Sequence, residues 1–558
     1  MRNGGRILID SLVAQGVATI FQVPGESFLP VLDALHDTPS IKTITCRHES
    51  GAANMAEAWG KLTGRPGVVF VTRGPGACHA AVGVHTAKQD STPLILFVGQ
   101  VDRPNLGREA FQEIDLDAMF GWTTKWTTTA RSAEELPAIV ARAFTESMSG
   151  RPGPVAIALP EDILSEMATP KEAPRVERAP LMSAAADVEA AVALLRGASR
   201  PLVIAGGTGW RQAESDALVR WARRWQIPVC VTFRRQDRFD NTSPDYIGDL
   251  AFAVDPALEE TVREADLILA LGTRLGDLAT KGYTLLEPPH PSQKLIHVFP
   301  DGAEFGHVYV PDLAVLSDAG QFATALESFD PPAVPVWTAW SEGKRAAYAT
   351  SIVPGPRPGG VDMNTIVAVL QDALGPDDIV ATDAGNFAQW IQRYYSFRHL
   401  GTQVAPTGGA MGYGIPAGIA AGLFAPDRRV VAIAGDGGFM MTASELATAR
   451  RYDVGVTFIV VNNGMFGTIR GHQERYFPGR VSGTDLTNPN FIALGESFGI
   501  PSYKVDQTAQ FAPALEAAGT LKGPALIEIV LDAEALSTRA TLSQARESAQ
   551  ARLAGNPT

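Results

Sequence analysis

Two short segments carry the residue types that chemistry needs. AGDGG, residues 434–438, sets Asp436 among glycines at the end of the apolar run RVVAIAG, and NNG, residues 462–464, follows the apolar run VTFIVV. A strand ending in a carboxylate delivers it to the carboxyl edge of a parallel sheet, where open α/β folds place their ligands. Gly437 and Gly438 let the backbone approach an anion closely, and the helical pattern behind them directs its N-terminus at the same place. The next strand brings Asn462 and Asn463 to that edge. A carboxylate, an amide oxygen and a backbone carbonyl are hard donors suited to octahedral Mg²⁺ shared with phosphates. Either segment alone is an ordinary turn; together, each at the end of an apolar strand, they predict a metal-diphosphate cradle.

Such a cradle needs parallel sheets to position it. Two proline-rich stretches, near residues 165–185 and between 329 and 360, divide the 558-residue chain as linkers do. The three segments, 1–170, 185–330 and 355–540, each repeat a short apolar run, a glycine turn and a helical pattern. The runs ATIFQV, IKTITC, GVVFVT, PLILFVG and PVAIAL are the first segment's strands; PLVIAGG, PVCVTF, ADLILALG and KLIHVF the second's; DIVATDAG, RVVAIAGD, VTFIVVNN and ALIEIVL the third's. The predicted fold class is α/β, with three doubly wound parallel-sheet domains. No short repeat suggests a solenoid or propeller.

Composition narrows the function. A net charge of −13 without a basic stripe argues against nucleic acid. Cys46, Cys78 and Cys230 match no zinc or redox spacing and read as small residues in a reducing compartment. With no run of about 18 apolar residues and no cleavable N-terminal signal, the chain is expected to be cytoplasmic, with no membrane partner.

The paired GDG and NN segments resemble the motif of thiamine diphosphate enzymes, and the rest of the chain is similar to their acetolactate synthase-like group. The resemblance implies that Asp436, Asn463 and the carbonyl of Met465 hold Mg²⁺, and that the three segments are a pyrimidine-binding, a central and a diphosphate-binding domain. CRHESGAANMAEAWGKLTG supplies Glu49 as the activating glutamate, whose carboxylate on N1′ of the cofactor's aminopyrimidine lets the 4′ nitrogen take the proton from thiazolium C2. VTRGPGACHAAVGVHTAKQDSTPLILFVGQV matches the group almost block by block, as does FQEID, residues 111–115. By that resemblance Gln112 hydrogen-bonds the reacting oxygen, while Phe111 and the following Lys125 belong to the substrate pocket. FQEID also reads as a plain loop-to-helix junction.

GGAMGYGIPAGIAAG, residues 408–422, fits the family's segment under the thiazolium ring, with Met411 forcing the cofactor's bend and Gly409 beside it. Gly385, Asn386 and Phe387 in DAGNFAQW, with Gly435, Gly437, Gly438 and Phe466, complete the implied cofactor contacts. In this family the glutamate and the diphosphate site come from different subunits, so the expected assembly is a homodimer or homotetramer.

Three features depart from the pattern. Glu26 stands where acetolactate synthases usually carry glycine, and it is either a proton shuttle or a helix cap. His472, in TIRGHQERYF, falls near the tryptophan by which anabolic acetolactate synthases choose their acceptor; it binds the acceptor or is a surface histidine beside Arg470 and Glu474. PLVIAGGTG and LALGTRLGD lack the G-x-G-x-x-G spacing, so FAD is an open but unfavoured occupant of the central domain, and CoA-type substrates stay open there too. The expected activity is decarboxylation of a pyruvate-like 2-oxo acid with carboligation to a second carbonyl. The alternatives are a non-oxidative 2-oxo acid decarboxylase or acyloin/acyl-CoA lyase releasing an aldehyde and, in a different class, a cofactor-binding subunit without catalysis.

Overall fold

A computed structural model describes residues 1–555. It contains three six-stranded sheets, each parallel throughout, and a small antiparallel pairing of Arg2–Asn3 with Met167–Ala168. Numbered within each sheet in chain order, the first and third share the order 2-1-3-4-6-5, whereas the middle one has the order 3-2-1-4-5-6 of dinucleotide-binding folds.

Helices cover both faces of these sheets, so the interior strands are apolar on both sides. The period-two alternation is visible in the packing. Val68, Phe70, Ile95 and Phe97 face one core, and Val69, Val71, Leu96 and Val98 face another. That second core continues into Ala381, Ala432, Ala434 and Val460 of the third sheet, so the first and third sheets share one core. The helices Glu49–Thr63 and Gly414–Phe424 meet in it. Small residues seat each helix closely on its own sheet: a Cβ at Gly418 would lie 2.4 Å from that of Ala432, and one at Gly60 2.3 Å from the carbonyl oxygen of Pro93.

Every strand expected from an apolar run is present. Five further strands of the parallel sheets are Trp126–Thr129, Tyr246–Leu250, Leu313–Leu316, Gln403–Val404 and Ser502–Val505, and all five lie at sheet edges. An edge strand has a neighbour on one side only and is commonly short or polar, so its sequence need not be a long apolar run. Thr338–Ser351 is helical within the second proline-rich stretch, with Trp337 in the central core. A last helix, Leu542–Leu553, packs on Gly467–Tyr476.

The middle sheet is locked to its neighbours by buried charge. Arg235 donates to the carbonyl of Asp90 at 3.0 Å; the Asp90 carboxylate accepts from Lys61 at 2.5 Å and from the amides of Thr407 and Gly408. Glu57 belongs to the same buried knot, accepting from Thr92 at 2.7 Å and Tyr413 at 2.5 Å. No described helix is long and apolar enough to cross a membrane.

Candidate active site

A cavity of about 440 Å³ opens at the carboxyl edge of the third sheet. Strand Ile379–Thr382 leads into it with Gly385, Asn386 and Phe387, and the turn before helix Gly414–Phe424 adds Gly409 and Met411. Strand Val430–Gly435 contributes Gly435, Asp436, Gly437 and Gly438, and strand Thr457–Asn462 leads to Asn463, Met465 and Phe466, with His472 one helix further. Thus every site residue expected of the third domain reaches one space.

Asp436 is buried, and its carboxylate accepts from Gly437 N at 2.9 Å, Gly464 N at 2.9 Å and Asn488 Nδ2 at 2.7 Å. Burial pushes its carboxyl above the ordinary range, and those three donors pull against the rise. The two asparagines divide the work. Asn462 is committed to the protein, donating to Glu528 Oε1 at 2.8 Å and accepting from Asn488 at 3.0 Å. Asn463 has only a weak 3.3 Å bond from Met465 N to its side-chain oxygen, leaving that oxygen with acceptor capacity. A buried carboxylate, an uncommitted amide oxygen and a neighbouring carbonyl fit a hard divalent cation.

The helix behind Asp436 is shorter than its sequence pattern suggests. It runs Asp436–Thr442 and gives way to a 3₁₀ turn at Ala443–Glu445 before Leu446–Arg451. The break turns Glu445 toward the first domain, where its buried carboxylate accepts from Arg47 N at 3.0 Å and His48 N at 2.9 Å. Those amides immediately precede Glu49, so the third domain fixes the glutamate's turn.

Asp383 is a second strut. Its carboxylate accepts from Ala384, Gly412 and Tyr413 N–H groups at 2.7, 3.0 and 3.2 Å, holding the turn that carries Met411. Burial pushes Asp383 up to about 6. Arg234 of the central domain, buried and pulled down to about 10 by that burial, donates to the carbonyls of Asp383 and Pro406. Asp383, Arg234, Glu445 and Asn488 were not anticipated, because nothing in their local sequence names the partners they meet, which for Arg234 and Glu445 lie across a domain junction.

The expected residues of the first domain stand elsewhere. Glu49 opens helix Glu49–Thr63, nearly buried, with Oε2 2.9 Å from Nδ1 of His79. Gln112 adopts the left-handed region at φ 63°, and its carbonyl accepts from Gly74 N at 2.9 Å. The FQEID segment is at the same time a loop-to-helix junction, with Asp115 capping Leu116–Phe120. Phe111 is 74% exposed. Glu26 caps no helix; its largely exposed carboxylate pairs with Arg73 at 3.2 Å. None of these lines the cavity of the same chain.

Lys125 does not belong with them. It precedes strand Trp126–Thr129 and donates from Nζ to the carbonyl of Ser149 at 2.5 Å, at the amino edge of the sheet. A residue that enters a parallel strand lies a strand length from the carboxyl edge where the ligand sites form.

The central domain has its own cavity of about 440 Å³, walled in part by Arg151, Arg274, Gly207 and Gly272. The two glycine turns serve packing: a Cβ at Gly207 would lie 1.9 Å from the carbonyl oxygen of Gly272. Their glycines therefore carry no case for FAD.

Comparison with known proteins places this geometry. The model of the thiamine pyrophosphate enzyme N-terminal TPP binding domain matches residues 2–119, that of the central domain 188–326 and that of the C-terminal TPP binding domain 383–529. The chain belongs to the thiamine pyrophosphate enzyme family. This thiamine pyrophosphate enzyme is 35% identical over 545 residues to the acetolactate synthase large subunit of Parasynechococcus marenigrum (strain WH8102), covering 94% of this chain and 87% of that protein. It is 33% identical over 537 residues to the acetolactate synthase isozyme 2 large subunit of Escherichia coli (strain K12), covering 95% and 96%. To the mitochondrial acetolactate synthase catalytic subunit of Saccharomyces cerevisiae (strain ATCC 204508 / S288c) it is 31% identical over 560 residues, covering 95% and 80%. It is an enzyme of the acetolactate synthase-like group, and Glu49 and Gln112 fall in the first matched stretch, the GDG and NNG turns in the third.

Proposed function

We propose that this thiamine pyrophosphate enzyme decarboxylates a pyruvate-like 2-oxo acid and joins the retained carbon to a second carbonyl, in acetolactate synthase-like fashion and with Mg²⁺. The observation that carries the reading is the single cavity onto which Asp436, Asn463, Met465, Met411 and Gly385 converge, in a chain whose relatives are named acetolactate synthases.

Thiamine diphosphate, when bound, would supply a thiazolium whose deprotonated C2 adds to the 2-oxo carbon and whose cationic ring accepts the electron pair left by departing CO₂. Asp436, the side-chain oxygen of Asn463 and the carbonyl of Met465 hold Mg²⁺ against the diphosphate, with Gly437 and Gly438 admitting its oxygens. Gly385, Asn386, Phe387, Gly409, Gly435 and Phe466 shape the same cradle, and Met411 sets the bend between the cofactor's rings. Glu49 holds a proton at the pyrimidine N1′. Gln112 orients the reacting oxygen and Phe111 walls its pocket. Glu26 moves a proton at that oxygen, and His472 faces the acceptor.

Because the cavity takes no residue from the first 170 positions, the reading includes a second copy that brings its Glu49 to this cavity. The assembly is a homodimer or a homotetramer. Exposed Leu29, Phe111, Met440 and Met441 support burial against that copy, and the three unpaired cysteines suit a cytoplasmic setting. FAD is no part of the reading.

The test is incubation with thiamine diphosphate, Mg²⁺ and ¹³C-pyruvate, with products read by NMR and native mass measured alongside. Acetolactate from a dimer or larger species is expected. Aldehyde as the only product overturns carboligation, and an active monomer overturns the shared site.

A further inference from the structure

Helix Gly467–Tyr476 turns one face to the cofactor cavity, with Ile469, His472 and Arg475 at intervals of three lining it. Charge in this cavity is unevenly settled. Arg234 is spent on two backbone carbonyls, and Arg539 pairs with Asp255 at 2.9 Å. Arg470, on the same helix, is held by Thr484 at 3.0 Å and Asp485 at 3.2 Å. Arg475 is exposed, and among the described residues its guanidinium has neither a hydrogen bond nor an ion pair; the His472 imidazole likewise has no polar partner and stacks on Tyr476 at 6.2 Å. Asp436 is the one carboxylate among the lining residues, and it is already taken by three N–H donors and the metal role.

An arginine in the last turn of a helix is also favoured by the helix dipole, which accounts for a cation at this position. It does not account for one that faces a ligand cavity beside an equally unpartnered histidine. The chemistry of the proposed reaction restricts what that cation can hold. A carboxylate leaving as CO₂ loses its charge on the way, so a guanidinium paired with it would stabilise the ground state over the transition state and slow the step. The partner has to be an anion that outlasts decarboxylation.

We infer that Arg475, with His472 beside it, is a specificity-determining residue that binds a persistent anionic group of the substrate, either the carboxylate of the acceptor or a second acid group on the donor. Planar, bidentate pairing with an oxyanion is what a free guanidinium offers and a lysine does not. This rests on the carboligation reading above.

The experiment compares wild type, Arg475→Gln and Arg475→Lys as holoenzymes with Mg²⁺ and thiamine diphosphate. One arm holds pyruvate as donor and varies the acceptor between 2-oxobutyrate and neutral propanal. A second varies the donor between 2-oxobutyrate and the diacid 2-oxoglutarate. In Arg475→Gln, KM for the charged member of one pair is expected to rise about tenfold or more, with the neutral or monoacid member within about threefold and kcat largely kept. Arg475→Lys is expected to fall between. A rise in the acceptor arm assigns the acceptor carboxylate, and one in the donor arm assigns a diacid donor. Equal changes for charged and uncharged partners, or none, overturn the role of Arg475 while leaving carboligation standing. Absence of any carbon–carbon product from wild type overturns both. Melting temperatures within about 1 °C are expected for this exposed position, which separates a specificity effect from misfolding.

Discussion

Nδ1 of His79 lies 2.9 Å from Oε2 of Glu49, and the His79 ring lies against that of His48, tilted by 31° with centroids 4.4 Å apart. Potential ligand atoms of the three side chains fall within 4.8 Å of one another. The proposed activating glutamate is thus oriented from two directions, by an imidazole on its carboxylate and by Glu445 on the amides that lead into its helix.

His79→Leu removes the first of these while keeping similar bulk. A hydrogen bond to a charged group contributes about 1.5–3 kcal/mol, so exchange of the cofactor's C2 proton is expected to slow by about tenfold or more. Since the His79 side chain is half exposed, melting temperature changes little. Hydrogen–deuterium exchange followed by NMR provides the measurement, and wild-type exchange in the variant would show that Glu49 needs no such partner.

Glu445→Ala leaves the amides of Arg47 and His48 without their acceptor and opens a buried space. The expected loss is about 1–3 kcal/mol of stability, accompanied by slower C2 exchange because the Glu49 turn loosens. Urea unfolding measures the first and NMR the second. Glu445→Gln, which keeps one acceptor oxygen, should recover part of both; stability lost with exchange unchanged would reduce Glu445 to a domain tie.

Asp436→Ala tests the cation. In the wild type, thiamine diphosphate is expected to raise the melting temperature by several degrees when Mg²⁺ is present, since a ligand at 100 times its Kd contributes about 2.7 kcal/mol. Removing the metal with EDTA, or the carboxylate by substitution, should abolish most of that rise. A cofactor-induced shift that survives both would place the metal elsewhere.

Asp249 gives a pH dependence with a definite sign. Its Oδ2 is buried without a hydrogen-bond partner among the described residues, and burial pushes the carboxyl up to about 7. An acid whose folded pKa is raised binds its proton more tightly in the folded state. Its contribution is therefore favourable below about pH 4 and is lost as pH rises through the window from 4 to about 7. Asp249→Asn is expected to be more stable than wild type at pH 8 by about 2–4 kcal/mol, with the difference shrinking as pH falls and vanishing below about pH 4. Denaturant titrations across that range check it, and a constant offset would mean that Asp249 is charged and solvated throughout.

Interior strands such as Leu94–Gln100 and Val430–Gly435 were legible because a parallel strand covered on both faces must be apolar along its whole length. The strands Trp126–Thr129 and Ser502–Val505 were not, since at a sheet edge side chains reach solvent and the run is short or polar. The same locality held at the site. The convergence of Asp436 and Asn463 on one cavity was readable because the ends of successive parallel strands meet at one sheet edge, so chain order and spatial order coincide. The place of Lys125 was not readable from its proximity in sequence to FQEID, because an intervening helix carries the chain to the opposite edge of the sheet.

By itself, then, the sequence determined three parallel-sheet domains and the strand ends that carry Asp436 and Asn463 to one edge, both of which depend on local periodicity. Only the tertiary structure decided that Glu445 grips the Glu49 turn, that Asp383 and Arg234 brace the turn of Met411, and that the Arg475 side chain has no partner among the described residues beside the cavity. Those relations join residues tens to hundreds of positions apart. Whether a charge is paired, buried or spare depends on what the rest of the fold brings against it, and no local pattern records that.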